Sequence, residues 1–204
     1  MAAQHSPALR KAIREADLVV PDGVGITLFL RLIGYRTERI PGIDLSYLLM
    51  TNLSKTGGRV FLLGGAPGVS VRAGERLKRE FPDLQVVGTT DGFFSSRDEM
   101  SVVARIRAAR PDLLIVGLGT PRQELWLERY WDDLEVPLGI GVGGSIDIWA
   151  GGIPRAPKAM RKVGLEWLYR AWVQPWRWRR VLKLFRFMAG TALNFRRKRV
   201  KSDE

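Results

Sequence analysis

The stretch VFLLGGAPG, residues 60–68, decides the fold class of this chain of 204 residues. Four consecutive apolar residues predict a strand that is buried on both faces. The glycines and Pro67 that follow predict a tight turn that opens a helix, since proline is favoured in a first helical turn. A buried strand, a turn and a helix in this order form the repeating unit of a parallel α/β sheet.

The same unit recurs from about residue 17 to residue 140. We predict strands at residues 18–20, 60–63, 85–87, 113–116 and 138–140. We predict helices near residues 24–33, 43–56, 68–80, 97–109 and 121–131, with further helix beyond Arg155. This alternation indicates a Rossmann-like, doubly wound and mostly parallel sheet, followed by a C-terminal basic amphipathic helical appendage.

Glycine and polar residues follow every predicted strand. The carboxyl ends of parallel strands share one edge of a sheet, and ligands bind there in folds of this class. We therefore expect the residues after the strands to form one pocket. They include Asp22, Gly64, Gly65, Gly117, Gly119, Thr120, Arg122, Gln123, Gly143, Gly144 and Asp147.

Each of these turns also has a structural interpretation. The GGAPG turn either cradles a diphosphate with its N–H groups or is simply a tight turn. Thr120 and Gln123 either contact a nucleotide or sugar, or form a capping box on a helix that starts at Pro121. Asp22 is either a carboxylate base or the N-cap of the next helix. The local sequence favours the cap for Asp22 and ligand contacts for the GTPRQE turn.

All of the net charge lies in the last fifty residues. Residues 1–154 carry 18 basic and 18 acidic side chains, whereas residues 155–204 carry 15 basic and 3 acidic ones and hence the whole formal charge of +12. Four of the seven tryptophans lie in the same segment. A basic, Trp-rich amphipathic helix is typical of in-plane binding to an anionic membrane surface. We expect a Rossmann-like domain at 1–154 and a membrane-docking appendage at 155–204; the alternative is a helix packed on its own domain.

Composition excludes several classes of protein. The chain has no cysteine and one histidine, so thiolate metal sites and disulfides are excluded. The sequence contains no DxD pair and no nucleophile elbow, and we expect no metal cofactor. It shows no signal-peptide pattern and no apolar run near the roughly 18 residues of a membrane span, which predicts an intracellular protein whose contact with any membrane is peripheral. The pI of about 10.7 raises a nucleic-acid-binding module as an alternative, but no reader motif supports it and we expect no nucleic acid partner.

The motifs, taken in chain order, carry a family resemblance. They are PDGVGITLFLRLIG, ERIPGIDL, VFLLGGAPG, GTTDGFF, PDLLIVGLGTPRQELW, IGVGGSIDIWAG and RAPKAMRKVGLEWLYR. From about Ser6 to beyond Arg180 the chain closely resembles the WecG/TagA/CpsF family of bacterial glycosyltransferases. Its members transfer a sugar, commonly N-acetylmannosamine or its uronic acid, from UDP to a polyprenyl-diphosphate-linked sugar, with inversion, at the cytoplasmic membrane surface. The resemblance implies a part in cell-envelope polysaccharide or teichoic acid biosynthesis. It also implies a cytoplasmic protein that is bound peripherally to the inner face of the cell membrane.

The resemblance also implies roles for individual residues. Asp22 stands at the position proposed as the catalytic base, and Arg39 and Gln123 match site positions near the donor and the acceptor. The residues expected to bind the UDP-sugar are Gly64, Gly65, Gly119, Thr120, Arg122, Gly143, Gly144 and Asp147. Arginines in the family's appendage that correspond to Arg170, Arg177 and Arg180 would close toward the diphosphate.

A metal-free site needs fixed cations to stabilise the charge that grows on departing UDP. The tail arginines would supply them, so membrane docking and completion of the active site could be one event; a partner subunit in a homo-oligomer could mask the apolar tail before lipid is available. Family members usually begin with a further strand and helix that carry a Thr-x-Asn motif, and none precedes Asp22. We expect an upstream start or a shortened copy, and in the second case a catalytically impaired nucleotide-sugar-binding protein is the alternative.

Overall fold

Four parallel strands form the sheet in the computed structural model, which describes residues 6–162, 164–173 and 175. They are β1 (Arg59–Gly64), β2 (Gln85–Thr90), β3 (Leu113–Gly117) and β4 (Gly139–Gly141). Their order across the sheet is β2-β1-β3-β4, and every neighbouring pair is parallel. The strand β1 therefore hydrogen-bonds on both sides, and its carboxyl end lies in the middle of the sheet edge.

Helices connect these strands and flank the sheet. In chain order they are α1 (Pro7–Glu15), α2 (Val24–Leu32), α3 (Gly42–Ser54), α4 (Val69–Glu80), α5 (Glu99–Ala109), α6 (Arg122–Leu134), α7 (Ser145–Trp149), α8 (Lys158–Lys162) and α9 (Glu166–Val173). The first begins at Ser6, whose hydroxyl oxygen accepts a hydrogen bond of 3.2 Å from the Leu9 N–H. Within the described ranges, every helix is too short or too polar to cross a bilayer.

Successive side chains of β1 enter two different cores. Val60 and Leu62 pack with residues of α3, α4 and α7, whereas Phe61 and Leu63 pack with residues of α5 and α6. All four side chains are at most 1% exposed. Burying a side chain of this kind stabilises the fold by about 1.5–3 kcal/mol, so helices on both faces account for the uninterrupted apolar run. The predicted doubly wound sheet is confirmed.

Most of the predicted elements are confirmed as well. The strands predicted at 60–63, 113–116 and 138–140 match β1, β3 and β4, and the five helices predicted between the strands match α2 to α6. The strand β2 is longer than predicted because Gly88, Thr89 and Thr90 pair with Phe61, Leu62 and Leu63, after a shift of one residue in the register at Val87. Glycine and threonine gave no apolar signal for that extension.

The strand predicted at residues 18–20 is wrong. Leu18 and Val19 are 70% and 59% exposed, and in the described part of the chain these residues belong to no strand. A short apolar run forms a strand only where a neighbouring strand supplies hydrogen-bond partners, and the run itself does not reveal that partner. Asp22 accordingly does not follow a strand.

The chain divides into two compact units. One consists of residues 6–20 and Ile40–Pro154, and it contains the whole sheet. The other consists of Pro21–Arg39 and the described residues from Arg155 onward, with α2, α8 and α9. The predicted roles of 1–154 as ligand-binding domain and 155–204 as membrane-docking appendage stay predictions.

Candidate active site

Glycines bring the strand ends together at the carboxyl edge of the sheet. The main chain of Gly64, the last residue of β1, passes so close to β3 that a Cβ atom on it would lie 2.5 Å from the carbonyl oxygen of Gly117. Gly64 has a φ of 141° and Gly65 one of 75°, which side chains other than glycine rarely adopt. The Gly65 carbonyl accepts a hydrogen bond of 2.8 Å from the Gly92 N–H. The ends of β1 and β3 and the loop after β2 are thus joined through the main chain.

A cavity of about 560 Å³ lies at this edge. It is lined by Gly65, Ala66, Gly92, Phe93, Phe94, Gly117, Leu118, Arg122 and Asp147. A volume of a few hundred Å³ is typical of small-molecule sites. Three of the predicted donor-binding residues, Gly65, Arg122 and Asp147, are therefore brought together by the fold.

Arg122 holds the loop that follows β2. Its Nη1 donates a hydrogen bond of 2.7 Å to the carbonyl oxygen of Gly92, and its Nη2 donates one of 3.3 Å to that of Phe94. Its guanidinium carbon lies 4.7 Å from the centroid of the Phe94 ring, a cation–π arrangement. A carboxylate oxygen of Asp91 also accepts a hydrogen bond of 2.9 Å from the Phe93 N–H. Phe93 lies between the two residues whose carbonyl groups Arg122 binds. It lines the cavity, and 76% of its surface is exposed.

Gln123 is buried and links α6 to the loop after β4. Its Oε1 accepts a hydrogen bond of 2.9 Å from the Gly143 N–H, and its Nε2 donates one of 2.9 Å to Oε1 of Glu124. The same Glu124 oxygen accepts a hydrogen bond of 2.8 Å from the Thr120 hydroxyl. A Cβ atom on Gly141 would lie 2.6 Å from the Gln123 side-chain nitrogen, so a larger residue in β4 would displace this amide.

The capping-box interpretation of Thr120 and Gln123 is therefore wrong, and the ligand contacts favoured for this turn stay a prediction. The N-cap of α6 is Pro121, and no side chain forms a capping hydrogen bond there. Both polar side chains instead donate to the carboxylate of Glu124, because an ionised acceptor forms the stronger hydrogen bond.

Helix α4 begins shortly after Ala66, which lines the cavity. Its N-cap is Gly68, with a φ of 77° and no side-chain hydrogen bond. A helix N-terminus without a side-chain cap keeps main-chain N–H groups and a partial positive charge for an anion. The close strand contact accounts for the glycines of the GGAPG turn, and the diphosphate cradle stays a prediction.

A second polar cluster lies in the unit that contains Pro21–Arg39. The Nε atom of Arg39 donates a hydrogen bond of 2.7 Å to the main-chain oxygen of Asp22, and its Nη2 donates one of 3.0 Å to Oε2 of Glu166. The same Nη2 lies 3.7 Å from the Asp22 carboxylate, whose side chain is 61% exposed. Asp22 does not cap α2, since Gly23 is the N-cap and no side chain bonds to it. The N-cap interpretation of Asp22 is therefore wrong: α2 starts one residue later, and the Asp22 carboxylate lies beside the Arg39 guanidinium.

The remaining predicted site residues are glycines in loops, or arginines that the structure does not describe or describes without their side chains. Gly119 has a φ of 78° in the loop before α6, and Gly144 is the N-cap of α7. Arg177 and Arg180 lie outside the described residues, as does the side chain of Arg170. In the described part of the chain no three His, Asp or Glu side chains come together as a metal site, and metal independence stays a prediction.

Gly92 and Phe93 follow the strand predicted at residues 85–87, so the expectation that the residues after the strands form one pocket includes them. Phe94 and Glu166 were missed from the sequence. Glu166 carries no comparable local signal, because its partner Arg39 lies 127 residues away along the chain.

Comparison with known proteins identifies the family. Residues 1–201 match the model of the Glycosyl transferase WecG/TagA/CpsF family. The chain is 35% identical over 189 residues to an N-acetylglucosaminyldiphosphoundecaprenol N-acetyl-β-D-mannosaminyltransferase of Bacillus spizizenii strain W23, covering 92% of this chain and 73% of the relative. It is 34% identical over 173 residues to a protein of the same name from Bacillus subtilis strain 168, covering 84% of this chain and 67% of the relative. The chain therefore belongs to the WecG/TagA/CpsF family of glycosyl transferases.

Proposed function

We propose that this chain transfers N-acetylmannosamine from UDP to an N-acetylglucosamine carried on a polyprenyl diphosphate, with inversion at the transferred sugar. The names of both relatives support the transferred sugar and the acceptor. The observation that carries the donor assignment is the glycine-lined cavity at the carboxyl edge of the sheet. This is where doubly wound folds bind nucleotides.

The chemistry of the cavity suits a nucleoside diphosphate. The uncapped N-terminus of α4 offers N–H groups to a diphosphate next to Gly65 and Ala66. The exposed ring of Phe93 offers an aromatic face to a planar base. The Asp147 carboxylate can accept hydrogen bonds from ribose hydroxyls or from the base. A ligand with two phosphates, a ribose and a base uses all three features.

The transfer is a single displacement. The carboxylate of Asp22 accepts the proton of an acceptor hydroxyl as that oxygen attacks the anomeric carbon of the donor. The bond from this carbon to the diphosphate oxygen breaks, and UDP leaves with the electron pair. Asp22 suits the role of base because its carboxylate is largely exposed.

The basic C-terminal segment supports a location at an anionic membrane surface. With 15 basic and 3 acidic side chains, residues 155–204 would attract anionic lipid, where the polyprenyl acceptor resides. In this proposal Arg170, Arg177 and Arg180 stabilise the departing diphosphate, so that the reaction needs no metal ion.

The transfer is tested with the purified full chain, UDP-N-acetylmannosamine and a lipid-diphosphate N-acetylglucosamine acceptor in anionic vesicles containing EDTA. We expect UDP release and an acceptor that is heavier by one N-acetylhexosamine. Binding of UDP without any heavier acceptor, also after Mg²⁺ is added, would leave only the nucleotide-sugar-binding alternative. If transfer required Mg²⁺, the expected metal independence would be contradicted, and the proposed transfer itself would stand.

Replacing Arg122 by Ala is expected to weaken UDP binding on the order of tenfold. The substitution removes two hydrogen bonds and the cation–π contact that hold the 92–94 loop, so this wall of the cavity must be ordered on binding. Isothermal titration with UDP measures the change. Arg129→Ala is the matched control, because this arginine lies on the same helix and stacks on Tyr130 away from the cavity lining. Equal affinities of the two variants would contradict the role assigned to the loop.

A further inference from the structure

Arg39 lies between two carboxylates, and its distances to them differ. Its Nη2 is within hydrogen-bond distance of Glu166, at 3.0 Å, and beyond that distance from Asp22, at 3.7 Å. Its Nε binds the main-chain oxygen of Asp22 at 2.7 Å. The guanidinium therefore holds the backbone of Asp22 while its strongest charge-assisted bond goes to Glu166.

Burial makes the contact to Glu166 the more persistent of the two. Glu166 is 3% exposed and lies in the first turn of α9, so removing the cation beside it would leave a buried carboxylate without that partner. The Asp22 carboxylate is largely exposed and can be solvated by water. An arginine between a buried and a solvated carboxylate stays with the buried one, because separating that pair costs more.

We propose that Glu166 is a positioning residue for Asp22 that acts through Arg39. This inference rests on the proposed function, in which Asp22 is the base. Glu166 accepts a hydrogen bond from Nη2, so that Arg39 fixes the backbone of Asp22 while its ion pair with the Asp22 carboxylate stays long, at 3.7 Å. When the charge of Glu166 is removed, Nη2 moves to the Asp22 carboxylate, and a hydrogen-bonded ion pair then hinders that carboxylate from accepting the proton.

The test is Glu166→Gln, which keeps the size of the side chain and removes its charge. We expect kcat for transfer to fall on the order of 10- to 100-fold, the size of effect that misplacing a catalytic group produces. The KM for the UDP-sugar should stay within about twofold, because no residue lining the cavity changes. Glu166→Asp keeps the charge one methylene further from Arg39 and should have a kcat between those of the wild type and Glu166→Gln.

Two further variants separate positioning from general loss of stability. Glu128→Gln removes the charge that pairs with Lys11 at 2.6 Å elsewhere in the chain and should keep the wild-type kcat. The double variant Asp22→Asn with Glu166→Gln should be no slower than Asp22→Asn alone, since Glu166 acts only through that base.

The outcomes distinguish this inference from the proposed function. A wild-type kcat in Glu166→Gln, together with an inactive Asp22→Asn, would overturn the role of Glu166 and leave the function standing. A fully active Asp22→Asn would overturn the assignment of the base itself. If Glu166→Gln does not fold, Glu166→Asp decides: a lowered kcat at constant KM supports positioning, and a wild-type kcat refutes it.

Discussion

Asp22→Asn is expected to lower kcat for sugar transfer by about 10²- to 10⁴-fold, the contribution typical of a general base. The amide has the shape of the carboxylate but cannot accept the proton of the acceptor hydroxyl. The substitution should not disturb the fold, because Arg39 holds Asp22 by its main-chain oxygen at 2.7 Å. Initial rates of UDP release, with a thermal unfolding curve for each protein, measure both effects.

The matched control is Asp17→Asn, an exposed aspartate shortly before Asp22 in the chain. It should retain the wild-type kcat. We also expect the UDP affinity of Asp22→Asn to be close to that of the wild type, since Asp22 does not line the cavity at the sheet edge. A wild-type rate in Asp22→Asn would remove the carboxylate from the mechanism.

Gly64→Ala is expected to have the largest effect on stability, a loss of about 3 kcal/mol or more in the free energy of unfolding. The new Cβ atom would lie 2.5 Å from the carbonyl oxygen of Gly117, and neither of these neighbouring central strands can move without disturbing the core. A φ of 141° adds backbone strain for any residue other than glycine. In urea denaturation the midpoint should fall while the slope stays constant.

Gly152→Ala is the control for Gly64→Ala. A Cβ atom on Gly152 would lie 3.6 Å from the main-chain oxygen of Asp147, an ordinary contact. We expect its stability to lie within about 1 kcal/mol of the wild type, as for most substitutions that create no clash. If Gly64→Ala were as stable as Gly152→Ala and bound UDP equally well, the close approach of β1 and β3 would not be a requirement of the site.

The sheet was predictable because its strands are buried on both faces. The run of apolar residues at 60–63 has one physical explanation, two layers of helix, and the structure places two cores there. The run at 18–20 is also apolar, but Leu18 and Val19 remain exposed, because a strand also requires a partner. An apolar composition indicates that a segment is favoured in the interior of the protein. Whether it forms a strand depends on pairing with segments that are distant in the sequence.

For the candidate site as well, some residues could be predicted from local sequence and others could not. Gly65, Arg122 and Asp147 follow strands, so the shared edge of a parallel sheet predicted their meeting in one cavity. Local patterns favoured a cap for Asp22 and allowed one for Thr120. Instead, the Asp22 carboxylate lies near the Arg39 guanidinium, and the Thr120 hydroxyl donates to Glu124. The contact of Arg39 with Glu166 joins residues that are 127 positions apart, and the sequence around either residue contains no motif that predicts it.

The configuration of the new glycosidic bond tests the single displacement most directly. The wild-type chain is supplied with the α-anomer of UDP-N-acetylmannosamine, and the disaccharide released from the lipid product is examined by proton NMR. One displacement assisted by the Asp22 carboxylate should give a β-linked N-acetylmannosamine, with inversion at the anomeric carbon. An α-linked product would mean retention, which a single displacement from the face opposite UDP cannot give, and would contradict the role of Asp22 as the base of that displacement.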